Sequence, residues 1–121
     1  MSPVLVVDDD EQIRKLISRL LHLEGLSVIE ATNGIEGVDL YKTKAPDIVV
    51  IDIIMPGKDG LSAIRDIKAI DSQAKVVAMS GGLVMTPQTY LDEAEEIGAD
   101  CVLPKPIERK ELVGAIKILL N

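Results

Sequence analysis

The middle of the chain reads Ile48-Val49-Val50-Ile51-Asp52-Ile53-Ile54-Met55-Pro56-Gly57-Lys58-Asp59-Gly60, and its pattern is informative about the fold. A continuous run of Ile and Val, bounded by Pro and Gly, is typical of a strand buried on both faces of a parallel sheet. The run contains one carboxylate, Asp52, and an isolated buried carboxylate is costly unless it is paired, hydrogen-bonded or bound to a cation. The simpler alternative, an exposed Asp52 that caps the following turn, leaves the other acidic residues of the chain unexplained.

Strand-like and helix-like segments alternate on both sides of this stretch. Further strands are predicted at residues 3–7, 26–31, 75–79 and 100–103, and Thr86-Pro87 is a start signal for the fourth of five helices. The apolar positions that predict these helices are Ile13, Leu16, Ile17, Leu20, Leu21 and Leu23, then Ile35, Val38 and Tyr41, then Leu61, Ile64, Ile67 and Ile70, then Tyr90, Leu91, Ala94 and Ile97, and finally Leu112, Val113, Ile116, Leu119 and Leu120.

This alternation implies right-handed crossovers and a parallel sheet with helices on both faces. The predicted fold class is therefore α/β, a single doubly wound (βα)5 domain over residues 1–121 with a five-stranded parallel sheet. A length of 121 residues and 47% hydrophobic residues are sufficient for one well-packed core.

The composition excludes several classes of function. The net charge is −7, with no Trp or Phe, which argues against a nucleic-acid-binding surface and favours a divalent cation or a basic partner. His22 is the only histidine and is predicted to be an exposed helix residue, so histidine catalysis and zinc binding have no basis. We expect a cytoplasmic protein, because Cys101 is the only cysteine and the start of the chain resembles no signal peptide. The apolar runs are too short to span a bilayer.

Polar residues follow the predicted strands at the points where those strands end. Asp8 and Asp9 follow the first strand, Asp52 ends the third, Ser80 follows the fourth and Lys105 follows the fifth. Ligands of such sheets bind outside the carboxyl ends of the strands, near the switch in strand order. We therefore expect three carboxylates, one hydroxyl and one ammonium to lie at one edge of the sheet.

Three carboxylates held close together cannot all stay ionised without a counter-charge. An all-oxygen cluster indicates a hard cation, Mg²⁺ or Mn²⁺. One carboxylate would then be free to act as a nucleophile toward phosphorus, assisted by the Lys105 ammonium and the Ser80 hydroxyl. The simpler alternatives are a solvated loop lysine at position 105 and an ordinary turn serine at position 80.

Four motifs follow one another along the chain, each at the end of a predicted strand. They are Val4-Leu5-Val6-Val7-Asp8-Asp9-Asp10, Ile51-Asp52-Ile53-Ile54-Met55-Pro56-Gly57-Lys58-Asp59-Gly60-Leu61, Met79-Ser80-Gly81-Gly82 and Leu103-Pro104-Lys105-Pro106. Over essentially the whole chain the sequence resembles the receiver domain of a two-component response regulator. The resemblance implies a flavodoxin-like, CheY-like fold.

The resemblance also implies a role for each site residue. Asp52 accepts a phosphoryl group from a sensor histidine kinase or a histidine phosphotransfer protein. Asp9 coordinates Mg²⁺ directly, Asp8 coordinates it mainly through water, and the backbone carbonyl of Ile54 is a further ligand. Lys105 pairs with the phosphoryl oxygens, and Ser80 turns inward to bind them.

Further positions follow from the same resemblance. The Lys105–Pro106 bond is expected to be cis, and Gly60 helps to shape the loop that presents Asp52. The switch position, usually Tyr or Phe in this family, is occupied by Val102, so the resemblance does not extend to coupling through an aromatic ring at this position. An apolar Ile54 could hinder water, so we predict altered autodephosphorylation. Phosphorylation would shift conformation and partner binding in a monomer or weak dimer, and the domain would catalyse only its own phosphoryl transfer and autodephosphorylation.

Three other functions fit the sequence less well. A haloacid-dehalogenase-type phosphatase would use Asp8 as nucleophile and Asp10 as acid/base, but such enzymes are usually longer and carry a further acidic pair late in the chain. A receiver-like docking module that is never phosphorylated would not need the complete set of polar residues. A dinucleotide site lacks its Gly-rich turn after the first strand. Asp10 aligns with a variable position of the receiver family and is not assigned to the site.

Overall fold

The computed structural model describes residues 3–55, 59–81, 92 and 94–120. Thr86-Pro87, Tyr90 and Leu91, which predicted the first part of the fourth helix, lie outside these residues. The strands are β1 (Val4–Val7), β2 (Val28–Ala31), β3 (Ile48–Asp52), β4 (Val76–Ser80) and β5 (Cys101–Pro104). The helices are α1 (Glu11–Leu23), α2 (Gly34–Lys44), α3 (Gly60–Ile70), α4, which is described at residues 92 and 94–97, and α5 (Arg109–Leu120).

The five strands form one parallel sheet in the order β2-β1-β3-β4-β5. The chain first moves outward from β1 to β2 and then crosses back to β3 on the other side of β1, so the strand order switches between β1 and β3. The predicted fold class is confirmed. Because a ligand site in such a sheet lies at the switch point, a site is expected at the carboxyl ends of β1 and β3.

Local signals explain where the helices begin and end. The carboxylate of Asp10 accepts from Gln12 N and caps α1, and the side chain of Asn33 accepts from Glu36 N and caps α2. Gly25 follows α1 with a φ of 80°, a conformation that glycine adopts without steric cost.

Two apolar clusters fill the space between the sheet and its helices. One contains Leu5, Val49, Ile51, Ile64 and Ile67 and lies under α2 and α3. The other contains Val4, Val6, Ile17, Leu21, Ile48, Val50, Leu112 and Ile116 and lies under α1 and α5. Successive strand residues alternate between the two clusters, which is the arrangement expected of a sheet that is covered on both faces.

The predicted strand boundaries were slightly wrong. β4 and β5 each begin and end one residue later than predicted, because Ser80 and Pro104 are register partners at the end of the sheet. β2 begins at Val28 rather than at residue 26, because Val28 is the residue that pairs with Val4.

The predicted apolar stripe of α1 was also wrong in part. Leu16 is 48% exposed and Leu23 is 65% exposed, whereas Arg14 and Ser18 lie on the buried face with Ile17. The helix therefore contacts the sheet through a stripe rotated from the one predicted. Two other predicted apolar positions are exposed, and they stand in the first and last turns of their helices: Ile35 and Ile70.

Candidate functional site

Three carboxylates meet at the carboxyl ends of two neighbouring strands. Asp8 and Asp9 directly follow β1, and Asp52 is the last residue of β3, which pairs with β1. Oxygen atoms from the three carboxylates lie within 4.8 Å of one another. Asp8 is fully buried and Asp52 is 6% exposed, whereas Asp9 is exposed to solvent. The alternative of an exposed Asp52 is therefore wrong, and the three acids form one cluster.

The ammonium group of Lys105 lies between two of these carboxylates. Its Nζ donates to Oδ2 of Asp8 at 3.1 Å and to Oδ2 of Asp52 at 3.0 Å. The backbone N–H of Lys105 donates to the carbonyl of Ser80 at 2.9 Å, which holds the start of this loop beside β4. Burial acts to lower the pKa of Lys105, but hydrogen bonds to Asp52 and Asp8 outweigh it and raise the pKa. The alternative of a solvated loop lysine is wrong.

Hydrogen bonds fix both the backbone and the carboxylate of Asp8. Its backbone N–H donates to the carbonyl of Ala31 at 3.2 Å, and its Oδ1 accepts from the backbone N–H of Asp10 at 2.8 Å. Burial raises the pKa of Asp8, although the bonds from Asp10 and Lys105 act to lower it. A buried carboxyl group of this kind is stabilised in its charged form by a nearby cation.

The donor set of the cluster fits a hard divalent cation. All of its ligating atoms are oxygens, three separate carboxylates supply them, and the exposed side at Asp9 leaves room for water. Mg²⁺ is usually held by one or two carboxylates together with several waters, and Mn²⁺ accepts the same donors.

Asp10 has a different task from its two neighbours. Its Oδ1 accepts from the backbone N–H groups of Gln12 at 2.9 Å and Ile13 at 3.4 Å. These N–H groups have no partner within the helix, so Asp10 is the N-cap of α1.

Ile54 and Gly60, which stand at the two ends of the loop after β3, lie close to Asp52. The backbone N–H of Ile54 donates to Oδ1 of Asp52 at 3.2 Å, while the Ile54 side chain is 72% exposed. Gly60 N donates to Ile53 O at 2.8 Å, and a Cβ at position 60 would lie 2.0 Å from the Asp52 carbonyl oxygen. Only glycine fits at this position.

The remaining predicted positions lie on the strands and loop beside the cluster. Ser80 ends β4 and is partly buried. Val102 is 7% exposed in the middle of β5, beside Ala78 in the sheet. The Lys105–Pro106 peptide bond is cis, as predicted.

The sequence interpretation missed Arg14. This residue is 8% exposed, and its Nη1 donates to the carbonyl oxygen of Asp8 at 2.9 Å. Its Nε forms an ion pair of 3.1 Å with Oε1 of Glu30 in β2. The signal was available, since position 14 lies at helical spacing from the buried residues Ile17 and Leu21.

A family model for the response regulator receiver domain matches residues 4–117. The chain belongs to this family. As a receiver domain it takes part in two-component signalling, in which receivers are phosphoacceptors and are generally not classical enzymes. Receiver domains bind Mg²⁺ at an acidic cluster and interact with histidine kinases or phosphotransfer proteins. Among the helices in the described residues of this receiver, none has the length and hydrophobicity that a membrane span requires.

Relatives of this receiver include both short proteins and a longer one. The chemotaxis protein CheY of Bacillus subtilis is 37% identical over 119 residues, which cover 98% of this chain and 97% of CheY. Sporulation initiation phosphotransferase F of Bacillus subtilis is 33% identical and covers 94% of this chain and 90% of that protein. The response regulator MprA of a Mycobacterium species is 36% identical, and the match covers 98% of this chain and 50% of MprA.

Solved structures of receiver domains have the same fold. A response regulator receiver domain from Clostridium thermocellum superposes with a TM-score of 0.86 and 29% identity, covering 100% of this chain and 95% of that one. The CheX–CheY–BeF₃–Mg²⁺ complex from Borrelia burgdorferi gives the same TM-score and identity, covering 99% of this chain and 90% of the matched chain.

Proposed function

We propose that Asp52 is the residue of this receiver that accepts the phosphoryl group. The observation that carries the proposal is the position of Lys105, whose ammonium bonds to Asp8 and Asp52 while the three-carboxylate cluster stays open at Asp9. A nucleophilic carboxylate, a fixed cation and a cluster of oxygen donors are the groups that phosphoryl transfer requires. The donor would be a sensor histidine kinase or a histidine phosphotransfer protein.

Asp8, Asp9 and Asp52, with the backbone carbonyl of Ile54, are the groups we assign to a bound Mg²⁺ or Mn²⁺. When bound, the ion supplies positive charge that neutralises phosphoryl oxygens. As the resemblance to receivers implies, exposed Asp9 would hold the ion directly and buried Asp8 would hold it mainly through water.

In the proposed reaction, a carboxylate oxygen of Asp52 attacks the phosphorus atom of phosphohistidine. An O–P bond forms as the P–N bond breaks, and the electron pair leaves with the imidazole nitrogen, which then takes up a proton. The Lys105 ammonium stabilises the charge on the phosphoryl oxygens, because it already lies 3.0 Å from Asp52. The hydroxyl group of Ser80, at the end of the adjacent strand, would donate a hydrogen bond to the phosphoryl oxygens.

The output of this receiver would be a change in partner binding that begins at Ser80 and Lys105. No aromatic ring stands at position 102, where buried Val102 occupies the switch position. We therefore expect the shift to proceed from Ser80 and Lys105 without a swinging ring at position 102. We further propose that residues 1–121 form a single receiver domain, which is a cytoplasmic monomer or weak dimer. The domain would catalyse only its own phosphorylation and autodephosphorylation.

The test is the intact mass of the protein after incubation with acetyl phosphate and Mg²⁺, with Asp52→Ala as the control. We expect one added phosphoryl group that requires both the metal and Asp52. The experiment is then repeated with a beryllofluoride complex in place of acetyl phosphate, because this complex mimics the phosphoryl group. If neither phosphorylation nor beryllofluoride binding occurs, the proposal fails and a docking module that is never phosphorylated is favoured.

A further inference from the structure

Arg14 connects the acidic cluster to the neighbouring strand. Its Nη1 donates to the carbonyl oxygen of Asp8 at 2.9 Å, and its Nε donates to Oε1 of Glu30 at 3.1 Å. The second carboxylate oxygen of Glu30 accepts from Nζ of Lys15 at 3.1 Å. The guanidinium group is thus fixed between one backbone carbonyl and one carboxylate, while Glu30 has a second cation of its own.

The position of Arg14 is an unfavourable place for a cation. It lies one turn after the N-cap Asp10, where the helix dipole is positive, and the residue is 8% exposed. Burying a charged group is costly unless it is paired and hydrogen-bonded. Packing alone would be served equally well by an apolar residue, as at Ile17 and Leu21 on the same face.

The carbonyl that Arg14 holds belongs to the peptide unit that joins Asp8 to Asp9. The orientation of this unit sets ψ of Asp8 and φ of Asp9, and therefore the direction of each side chain relative to the other. Arg14 reaches this carbonyl because helical side chains lean toward the helix N-terminus. The ion pair with Glu30 then limits the guanidinium group to one orientation.

We propose that Arg14, oriented by Glu30, is a positioning residue that fixes the peptide unit between Asp8 and Asp9 and thereby sets the affinity of their carboxylates for a divalent cation. This inference rests on the proposed function of the acidic cluster. Arg14 carries a permanent positive charge and has no acceptor atom with which to ligate a cation, so it acts through the backbone of the two acids. Partners of metal ligands commonly change metal affinity by about ten- to a hundredfold when they are removed.

The test measures Mn²⁺ affinity of the full chain directly, from the electron paramagnetic resonance signal of free Mn²⁺. Arg14→Met removes the donor to Asp8, and Lys15→Met is the matched control because Lys15 pairs with the same Glu30 but does not bond to Asp8. We expect Arg14→Met to weaken Mn²⁺ binding about tenfold and Lys15→Met to leave it within about twofold of the wild type. Thermal unfolding without metal, followed by circular dichroism, shows whether each variant is folded.

A second variant covers the case in which Arg14→Met does not fold. Arg14→Met with Glu30→Met removes both partners of the buried ion pair, so no unpaired carboxylate is left at position 30. The same tenfold loss of Mn²⁺ affinity is expected in this double variant. The proposal is overturned if either folded Arg14 variant binds Mn²⁺ as tightly as the wild type. It is also overturned if Lys15→Met loses as much Mn²⁺ affinity as the Arg14 variants.

The outcomes also separate this inference from the proposed function. If the wild-type protein binds no Mn²⁺, the acidic cluster is not a metal site and both proposals fail. If the wild type binds Mn²⁺ and is phosphorylated while Arg14→Met binds the ion equally well, only the role of Arg14 is wrong.

Discussion

Nζ of Lys105 lies 3.0 Å from Oδ2 of Asp52, although 53 residues separate them in the sequence. The same ammonium lies 3.1 Å from Oδ2 of Asp8, so one cation serves two buried carboxylates. A divalent cation would need oxygens of these same two side chains. The lysine and the metal are therefore expected to compete for the acidic cluster.

Replacement of Lys105 should separate metal binding from phosphoryl transfer. In Lys105→Met we expect Mg²⁺ affinity to rise about fivefold, because a competing positive charge is removed. Phosphorylation by acetyl phosphate should slow about a hundredfold, because the charge that stabilises the phosphoryl oxygens is lost. Isothermal titration calorimetry measures the first effect, and intact mass over time measures the second.

The control for this prediction is Lys117→Met. Lys117 pairs with Glu24 at 3.3 Å, and both residues stand at the C-terminal ends of their helices, at the opposite edge of the sheet from the acidic cluster, so neither quantity should change. Weaker Mg²⁺ binding in Lys105→Met would contradict the idea of competition.

Asp8 should destabilise the metal-free fold at neutral pH. Burial raises the pKa of Asp8 in the folded state above the ordinary value of 3.8. Below pH 3.8 the carboxyl group is protonated and does not destabilise the fold. As the pH rises through the folded-state pKa, the group ionises and the free energy of unfolding falls. Asp8→Asn retains an acceptor for the Asp10 N–H and removes the charge. We expect this variant to be about 1 kcal/mol more stable than the wild type at pH 7 without metal, with the gain vanishing below about pH 4.

Urea unfolding across this pH range tests the prediction for Asp8. Mg²⁺ should stabilise the wild type and have little effect on Asp8→Asn, because a ligand stabilises only the state that binds it. Asp39→Asn, on the exposed surface of α2, is the control and should change stability by less than about 0.5 kcal/mol. An Asp8→Asn protein less stable than the wild type at pH 7 would show that the carboxylate is favourable even without metal.

How much of this site could be predicted depends on the kind of interaction involved. The ends of parallel strands meet at one edge of the sheet, so strand order alone brings Asp8, Asp52, Ser80 and Lys105 together. The bridging of two carboxylates by one ammonium could not be predicted, because it depends on side-chain rotamers. The exposure of Asp9 beside fully buried Asp8 likewise depends on how α1 leaves the sheet.

The role of α1 was harder to predict for a related reason. Several overlapping apolar stripes fit a helix rich in leucine, and two of the predicted positions, Leu16 and Leu23, proved to be exposed. Arg14 reaches the buried side because its long aliphatic stem can pack while its guanidinium group bonds to Asp8 and Glu30. Hydropathy does not detect such a residue, since it counts every arginine as a surface residue.

Gly60 should tolerate no side chain. An added Cβ would lie 2.0 Å from the carbonyl oxygen of Asp52 and 2.6 Å from Cα of Ile53, and backbone atoms cannot move away without displacing the phosphoacceptor candidate. In Gly60→Ala we expect a loss of about 3 kcal/mol in the free energy of unfolding and little phosphorylation. Gly114→Ala is the matched control, because its added Cβ meets nothing within 4 Å and should raise helix stability by about 0.5–1 kcal/mol. Equal stability of the two alanine variants would contradict the prediction.

Asp10 distinguishes a receiver from a phosphatase of the haloacid-dehalogenase type. As the N-cap of α1, Asp10 should contribute about 1 kcal/mol to stability and nothing to the chemistry. In Asp10→Ala we therefore expect lower stability in urea with phosphorylation retained within about threefold. Asp9→Ala should have the opposite effect, with stability retained and metal-dependent phosphorylation lost. Loss of phosphoester turnover in Asp10→Ala would favour the phosphatase.

Ile54 should lengthen the life of the phosphorylated state. Its backbone N–H donates to Oδ1 of Asp52 at 3.2 Å and its side chain is exposed, so we expect the side chain to hinder water that approaches the phosphoryl group. In Ile54→Asn we expect the phosphoryl group to be lost about threefold faster or more, because an amide admits and orients water where an apolar group excludes it. The decay is followed by intact mass after the phosphodonor is removed. Ile118→Asn, 75% exposed on α5, is the matched control and should leave the lifetime unchanged. An unchanged lifetime in Ile54→Asn would mean that water reaches the site by a route this side chain does not block.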